Sequence, residues 1–156
     1  MIDLSAEQMS ELIDDICTKD SLGHYNRFNQ LCYRFGRWGR SWMPKGYACP
    51  MFRDYHAPDD KEDNDDSPAQ KLEPLDDGVG CFMDQCITQL RFRADLQLPY
   101  EAFYLTYMAK PKERHKCLRR LVRHLRALHK DSTPNGIIAV SDLFRENLRL
   151  HMLLNM

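Results

Sequence analysis

The sequence predicts an all-α fold, a compact bundle of about five to six helices with an acidic mobile linker near residues 57–75. Three observations carry this. Apolar residues return at three- and four-residue spacing in successive segments, as one buried helix face requires. Capping residues and Pro/Gly stops punctuate those segments. The 156 residues are 43% hydrophobic and 29% charged, enough for one core that needs neither metal nor disulfide.

Ser5-Ala6-Glu7-Gln8 has the form of a capping box, with Leu4 and Met9 placed as a hydrophobic staple. Met9, Leu12, Ile13 and Ile16 follow at helical spacing, so a first helix is expected over about residues 5–18. After a break at Ser21-Leu22-Gly23, Phe28, Leu31, Cys32, Phe35, Trp38 and Trp42 mark the buried stripe of a second helix, which Pro44-Lys45-Gly46 stops. Tyr47 to His56 contains Pro50 and no clean period, which points to a packed loop. The stretch from Asp59 to Pro74 is rich in charge and proline and poor in apolar residues, the composition of a linker. It divides the chain into an aromatic and basic half, residues 1–56, the linker, 57–75, and a second helical half, 76–156.

Asp76 or Asp77 is placed to cap a third helix, whose stripe is Val79, Phe82, Met83, Cys86, Ile87 and Leu90. Pro99 suits the first turn of a shorter fourth helix bearing Phe103, Tyr104, Tyr107 and Met108, which Lys110-Pro111 ends. Between residues 112 and 130, Leu118, Leu121, Val122, Leu125 and Leu128 face one way, while Lys112, Lys116, Arg119, Arg120, Arg123, Arg126 and Lys130 crowd the other positions. Ser132-Thr133-Pro134-Asn135-Gly136 is a turn cluster, and Ile137 to Val140 is either extended or simply buried. Ser141 or Asp142 is expected to cap a last helix reaching toward Leu154.

The net charge of −1 hides a segregation: nine acidic residues and two lysines lie between Asp59 and Asp77, leaving the remainder at about +6. Nine Lys or Arg and one acid, Glu113, fall between Lys110 and Lys130. Such a face repels itself unless an anion answers it, and duplex phosphates would do so with a salt-sensitive gain in affinity. The competing account is a solvated face, or one answered by the acidic linker of the same chain. A second basic segment, Arg27 to Arg53, holds Arg34, Arg37, Arg40 and Lys45 with no acid, interleaved with Tyr25, Tyr33, Trp38, Trp42 and Tyr47. Aromatics there would stack while arginines meet phosphates, or else the aromatics are core and the arginines decorate the outside. Gly36 and Gly39 leave one strip of this helix bare and permit close approach of another backbone.

The first residues lack a basic and apolar leader and no run approaches a membrane span, so the chain is expected in the cytoplasm with its six cysteines reduced and mostly buried. Cys81 with Cys86, His115 with Cys117, and Cys49 near His56 lack the paired spacing of a zinc site. No nucleophile elbow, H-E-x-x-H, P-loop or dinucleotide fingerprint occurs, and neither an enzymatic activity nor a cofactor is expected.

Phe35-Gly36-Arg37-Trp38 resembles the aromatic W-G-x-W segment of the phage late-gene antitermination proteins of the Q type. Asp76-Asp77, leading into a helix with Asp84 and Leu90, is similar to the D-D-x-A helix that opens their second half, so the resemblance covers about residues 25–130. It implies a helical protein that binds duplex DNA near a late promoter and loads onto paused bacterial RNA polymerase holoenzyme in the host cell, making transcription resistant to pauses and terminators. In that picture the DNA-binding residues are Lys112, Arg114, Lys116, Arg119, Arg120, Arg123 and Arg126, and Arg34, Arg37, Trp38, Arg40 and Trp42 meet the partner. The chain departs from the family where a sigma-like helix-turn-helix is usual, because the turn lacks a glycine and the stretch is short. The alternative is a small phage-encoded inhibitor of a nucleic-acid-handling protein such as a defence nuclease, with the acidic linker mimicking phosphates.

Overall fold

The computed structural model describes residues 4–41 and 73–156, and within them every regular element is helical. The N-terminal residues 1–3, Trp42, the Pro44-Lys45-Gly46 stop, the loop through His56, Cys49 and residues 57–72 of the acidic linker lie outside the described residues. Among the described residues six α-helices run in order: α1 (Ala6–Cys17), α2 (Asn26–Ser41), α3 (Asp77–Arg91), α4 (Gln97–Phe103), α5 (Arg114–Ala127) and α6 (Pro134–Leu154). A single 3-10 turn precedes α4 and another precedes α5, and α4 runs on into a π turn over Tyr104–Met108.

The start of α1 is the expected capping box: the Gln8 N–H donates to Ser5 Oγ at 3.1 Å and the Ser5 N–H to Gln8 Oε1 at 2.9 Å. Asp20 builds the turn to α2 by accepting from the Leu22 and His24 amides, at 2.9 and 2.8 Å, around Gly23 at φ +82°. Asp76 caps α3.

Helix α6 begins eight residues earlier than a cap at Ser141 would place it, with Thr133 as its cap. Thr133 Oγ1 accepts from the Gly136 amide at 3.3 Å and Pro134 occupies the first turn, where its missing N–H costs nothing. The turn-like composition of residues 132–136 is thus a helix start, and Ile137 to Val140 are helical, with Ser141 buried inside the helix.

One core runs through α1, α2, α3, α4 and α6, so described residues on both sides of the linker share it. Leu12 and Ile16 of α1 meet Phe28, Leu31, Cys32, Phe35 and Trp38 of α2, the α3 stripe, Phe103, Tyr107 and Met108, and Phe144, Leu148 and Met152 of α6. A smaller cluster, Leu121 and Leu125 with Ala102, seats α5 on α4 and α6. Leu118 and Leu128, expected beside them, are largely exposed.

Two close approaches fix α2. A Cβ on Gly36 would stand 1.7 Å from the Tyr107 carbonyl oxygen, so α2 lies directly against the π turn. The buried Trp38 ring covers Gly80 of α3, and its Nε1–H donates to Asp77 Oδ1 at 2.9 Å.

The α5–α6 junction is a Schellman motif: the Lys130 N–H reaches the Leu125 carbonyl at 2.9 Å and the His129 N–H that of Arg126 at 3.0 Å. His129 sits at φ +55° there, a left-handed conformation that costs an L side chain roughly 1–2 kcal/mol. His129 is exposed, so His129→Gly is expected to raise stability by about 0.5–1 kcal/mol, read as a higher denaturant midpoint at unchanged slope. A lowered midpoint would show that the imidazole has a compensating role.

Candidate nucleic-acid interface

Leu121 and Leu125 fix which side of α5 looks outward, since residues advance about 100° per step. His115, Lys116, Arg119, Arg123 and Arg126 then project from the opposite side, and all five are exposed. Among the described residues no carboxylate lies within ion-pair distance of Lys116, Arg119, Arg123 or Arg126. From Lys116 to Arg126 the face runs about 15 Å at 1.5 Å per residue, several phosphates long on one strand of a duplex.

The neighbouring acids are turned away from this face. Glu113 Oε1 accepts from the Tyr104 hydroxyl and from the Lys110 N–H, both at 2.9 Å, so the one acid in the basic stretch secures the α4–α5 turn. Glu101 of α4 meets His124 Nδ1 at 2.9 Å and Arg120 Nε at 3.9 Å, on the flank of α5. Arg120 therefore stands at the edge of the field, partly answered. A cleft of about 400 Å³ lies along that flank, lined by Ala94, Gln97, Leu98, Glu101, His124, Ala127 and Leu128.

Lys112 is exposed in the 3-10 turn ahead of α5. Arg114 corrects the expectation that it faces DNA: it lies on the inner side of α5, and its Nε reaches back to the Ala109 carbonyl at 3.4 Å.

The aromatic half offers less surface than its composition promised. Trp38 and Arg40 are buried, so neither is available to a partner: Trp38 locks α2 to α3, and Arg40 Nη1 donates to the Tyr107 carbonyl at 3.0 Å. Arg34 Nε holds the Glu73 carbonyl at 2.9 Å and its Nη2 the Pro74 carbonyl at 3.4 Å, tying down the segment that enters α3. Arg37 is half-buried, and Trp42 lies outside the described residues. Arg34 and Arg40 look like a partner surface in sequence because they donate to main-chain carbonyls, which leave no mark on the charge pattern.

The thiols are quiet. Burial pushes the Cys86 thiol up to about 12 and raises that of Cys32, so both stay protonated at neutral pH, and Cys81 is buried beside them. Among the described residues no three His, Cys, Asp or Glu side chains converge as a metal site, and no helix is long and apolar enough to cross a membrane. No family model, curated protein or solved structure matches the chain.

Proposed function

We propose that the chain is a helical regulator that grips duplex DNA by its phosphates through the outer face of α5, in the manner of a phage antitermination factor acting on RNA polymerase holoenzyme. The observation that carries the DNA reading is the exposed row Lys116, Arg119, Arg123 and Arg126, which has no carboxylate within ion-pair distance among the described residues while Glu101 and Glu113 are engaged elsewhere. A cationic row on a rigid helix attracts a polyanion, and each neutralised phosphate releases counterions. The resemblance at residues 35–38 and 76–90 supports the polymerase part, which the free protein would perform without a cofactor. Such a face positions the protein on the duplex rather than reading bases.

Binding to labelled duplex DNA over a salt series tests this. The wild type is expected to lose affinity steeply with salt, and Arg119→Ala/Arg123→Ala/Arg126→Ala to reduce the log–log slope by about 2–3, close to 0.9 per lost contact. Arg93→Ala, which removes an arginine paired with Asp95 at 2.9 Å, should leave the slope alone. Absence of binding at low salt would sink DNA recognition. On a late-promoter template with holoenzyme, terminator read-through that the triple variant loses would support antitermination, and no read-through by the wild type would refute it.

A further inference from the structure

The cleft on the flank of α5 has two kinds of wall. Ala94, Leu98, Ala127 and Leu128 give it aliphatic sides, and Gln97, Glu101 and His124 set polar groups between them. Its volume of about 400 Å³ lies in the roughly 300–1,000 Å³ range of small-ligand sites. The polar groups are held in place from both helices: Glu101 Oε2 of α4 meets His124 Nδ1 of α5 at 2.9 Å, which leaves His124 Nε2 for a ligand. Glu101 Oε1 stands 3.9 Å from Arg120 Nε, too far for a hydrogen bond, and so keeps its capacity to accept one. A carboxylate in the wall repels phosphate but accepts from an amino group. A nucleobase matches both walls, because its faces are apolar and its edge carries donors and acceptors.

We propose that this cleft takes one unpaired base of a DNA strand whose phosphates rest on α5, and favours a base with an amino group that donates to Glu101. The charge arrangement names this occupant. Successive residues of α5 advance about 100°, so Lys116, Arg120 and Arg123 project along the lip between the outer face and the cleft. All three are exposed, and Arg120 stands one turn before His124. Arg123 lies four residues, about 6 Å along the helix, from Ala127 in the wall. Cations therefore line the rim while the carboxylate sits inside, which is the order of phosphate and base in a nucleotide. An apolar peptide would fill the aliphatic walls but leave the rim cations and the Glu101–His124 pair without a counterpart. In an intact duplex the bases are stacked and their edges paired, so only an unpaired base can enter. The inference rests on the DNA reading and adds to it a contact that distinguishes one base from another, which phosphate contacts do not.

Binding of the full chain to a set of labelled duplexes is the test. One carries a single bulged cytosine, a second a bulged thymine, a third an abasic site in the same bulge, and a fourth is intact. The cytosine bulge is expected to bind on the order of tenfold or more tighter than the abasic one, which bends alike but offers no base. Cytosine is also expected to bind more tightly than thymine, and Glu101→Gln to narrow that difference, because a neutral amide accepts more weakly than a carboxylate. Ala127→Phe fills the cleft from an exposed position. It should erase the preference for cytosine over the abasic site and leave the salt-dependent affinity for intact duplex, since Lys116, Arg119, Arg123 and Arg126 are untouched. Equal affinity for the cytosine and abasic bulges, an Ala127→Phe protein that keeps the preference, a cytosine-to-thymine ratio unmoved by Glu101→Gln, or free cytidine monophosphate binding as tightly as the bulged strand would each overturn the proposal. In those cases binding of the intact duplex still upholds the DNA reading, whereas a protein that holds none of the duplexes refutes both.

Discussion

Gly36→Ala is expected to cost roughly 3 kcal/mol or more, which for a chain of this size lowers the melting temperature by about 6–12 °C. Helix propensity alone predicts the reverse, since alanine is better than glycine inside a helix by about 1 kcal/mol. The clash decides the sign. The new methyl would stand 1.7 Å from the Tyr107 carbonyl oxygen and 2.7 Å from its carbon, and both atoms belong to backbone that also receives the Arg40 guanidinium. Neither can turn aside as a side-chain tip could, so α2 would have to lift off the π turn and take Phe35 and Trp38 with it. Thermal unfolding followed by circular dichroism reads the loss, and an unchanged or higher melting temperature would mean that α2 does not sit on Tyr107.

Asn29→Leu is expected to cost about 2–3 kcal/mol, through hydrogen bonds rather than volume. Asn29 Oδ1 accepts from the Tyr107 hydroxyl at 2.5 Å and from Arg145 Nη1 at 2.8 Å, and that same nitrogen donates to the Tyr107 oxygen at 2.9 Å. Burial raises the Tyr107 pKa, so the phenol stays protonated and needs an acceptor. Leucine removes it and leaves the hydroxyl facing another donor, the Arg145 guanidinium, with its own proton unanswered. Adding Tyr107→Phe to Asn29→Leu should therefore cost much less than Tyr107→Phe alone, a coupling of about 1–2 kcal/mol in a double-mutant cycle by urea unfolding. Additive effects would show that the three groups do not act as a unit.

The helices were legible where the periodicity was long and the caps were side chains of familiar type. Ser5 with Gln8 and Asp76 both act as their spacing implied. Thr133 did not stand out as a cap because Ser132, Pro134, Asn135 and Gly136 around it compose equally well into a turn, and only the hydrogen bond to Gly136 separates the two. The basic face of α5 was visible as composition, and its centre at Arg119, Arg123 and Arg126 follows from where Leu121 and Leu125 point. The roles of Arg34, Arg40 and Trp38 were not legible. Their partners are a carbonyl or carboxylate about 39 to 67 residues away in sequence, and such pairs carry no periodic signal.

The π turn at Tyr104–Met108 makes the chain intolerant of a change in length at one place. The i+5 bond from the Ala109 N–H to the Tyr104 carbonyl, at 2.8 Å, is what a helix makes when it carries one surplus residue per turn. Deleting a single residue there would restore regular α-helix and leave composition and hydrophobicity nearly untouched. It would also rotate everything downstream by about 100° and withdraw the carbonyl on which Gly36 and Arg40 converge. Homologous chains that keep this seat for α2 should thus conserve the count of residues between Ala102 and Ala109 more strictly than their identities.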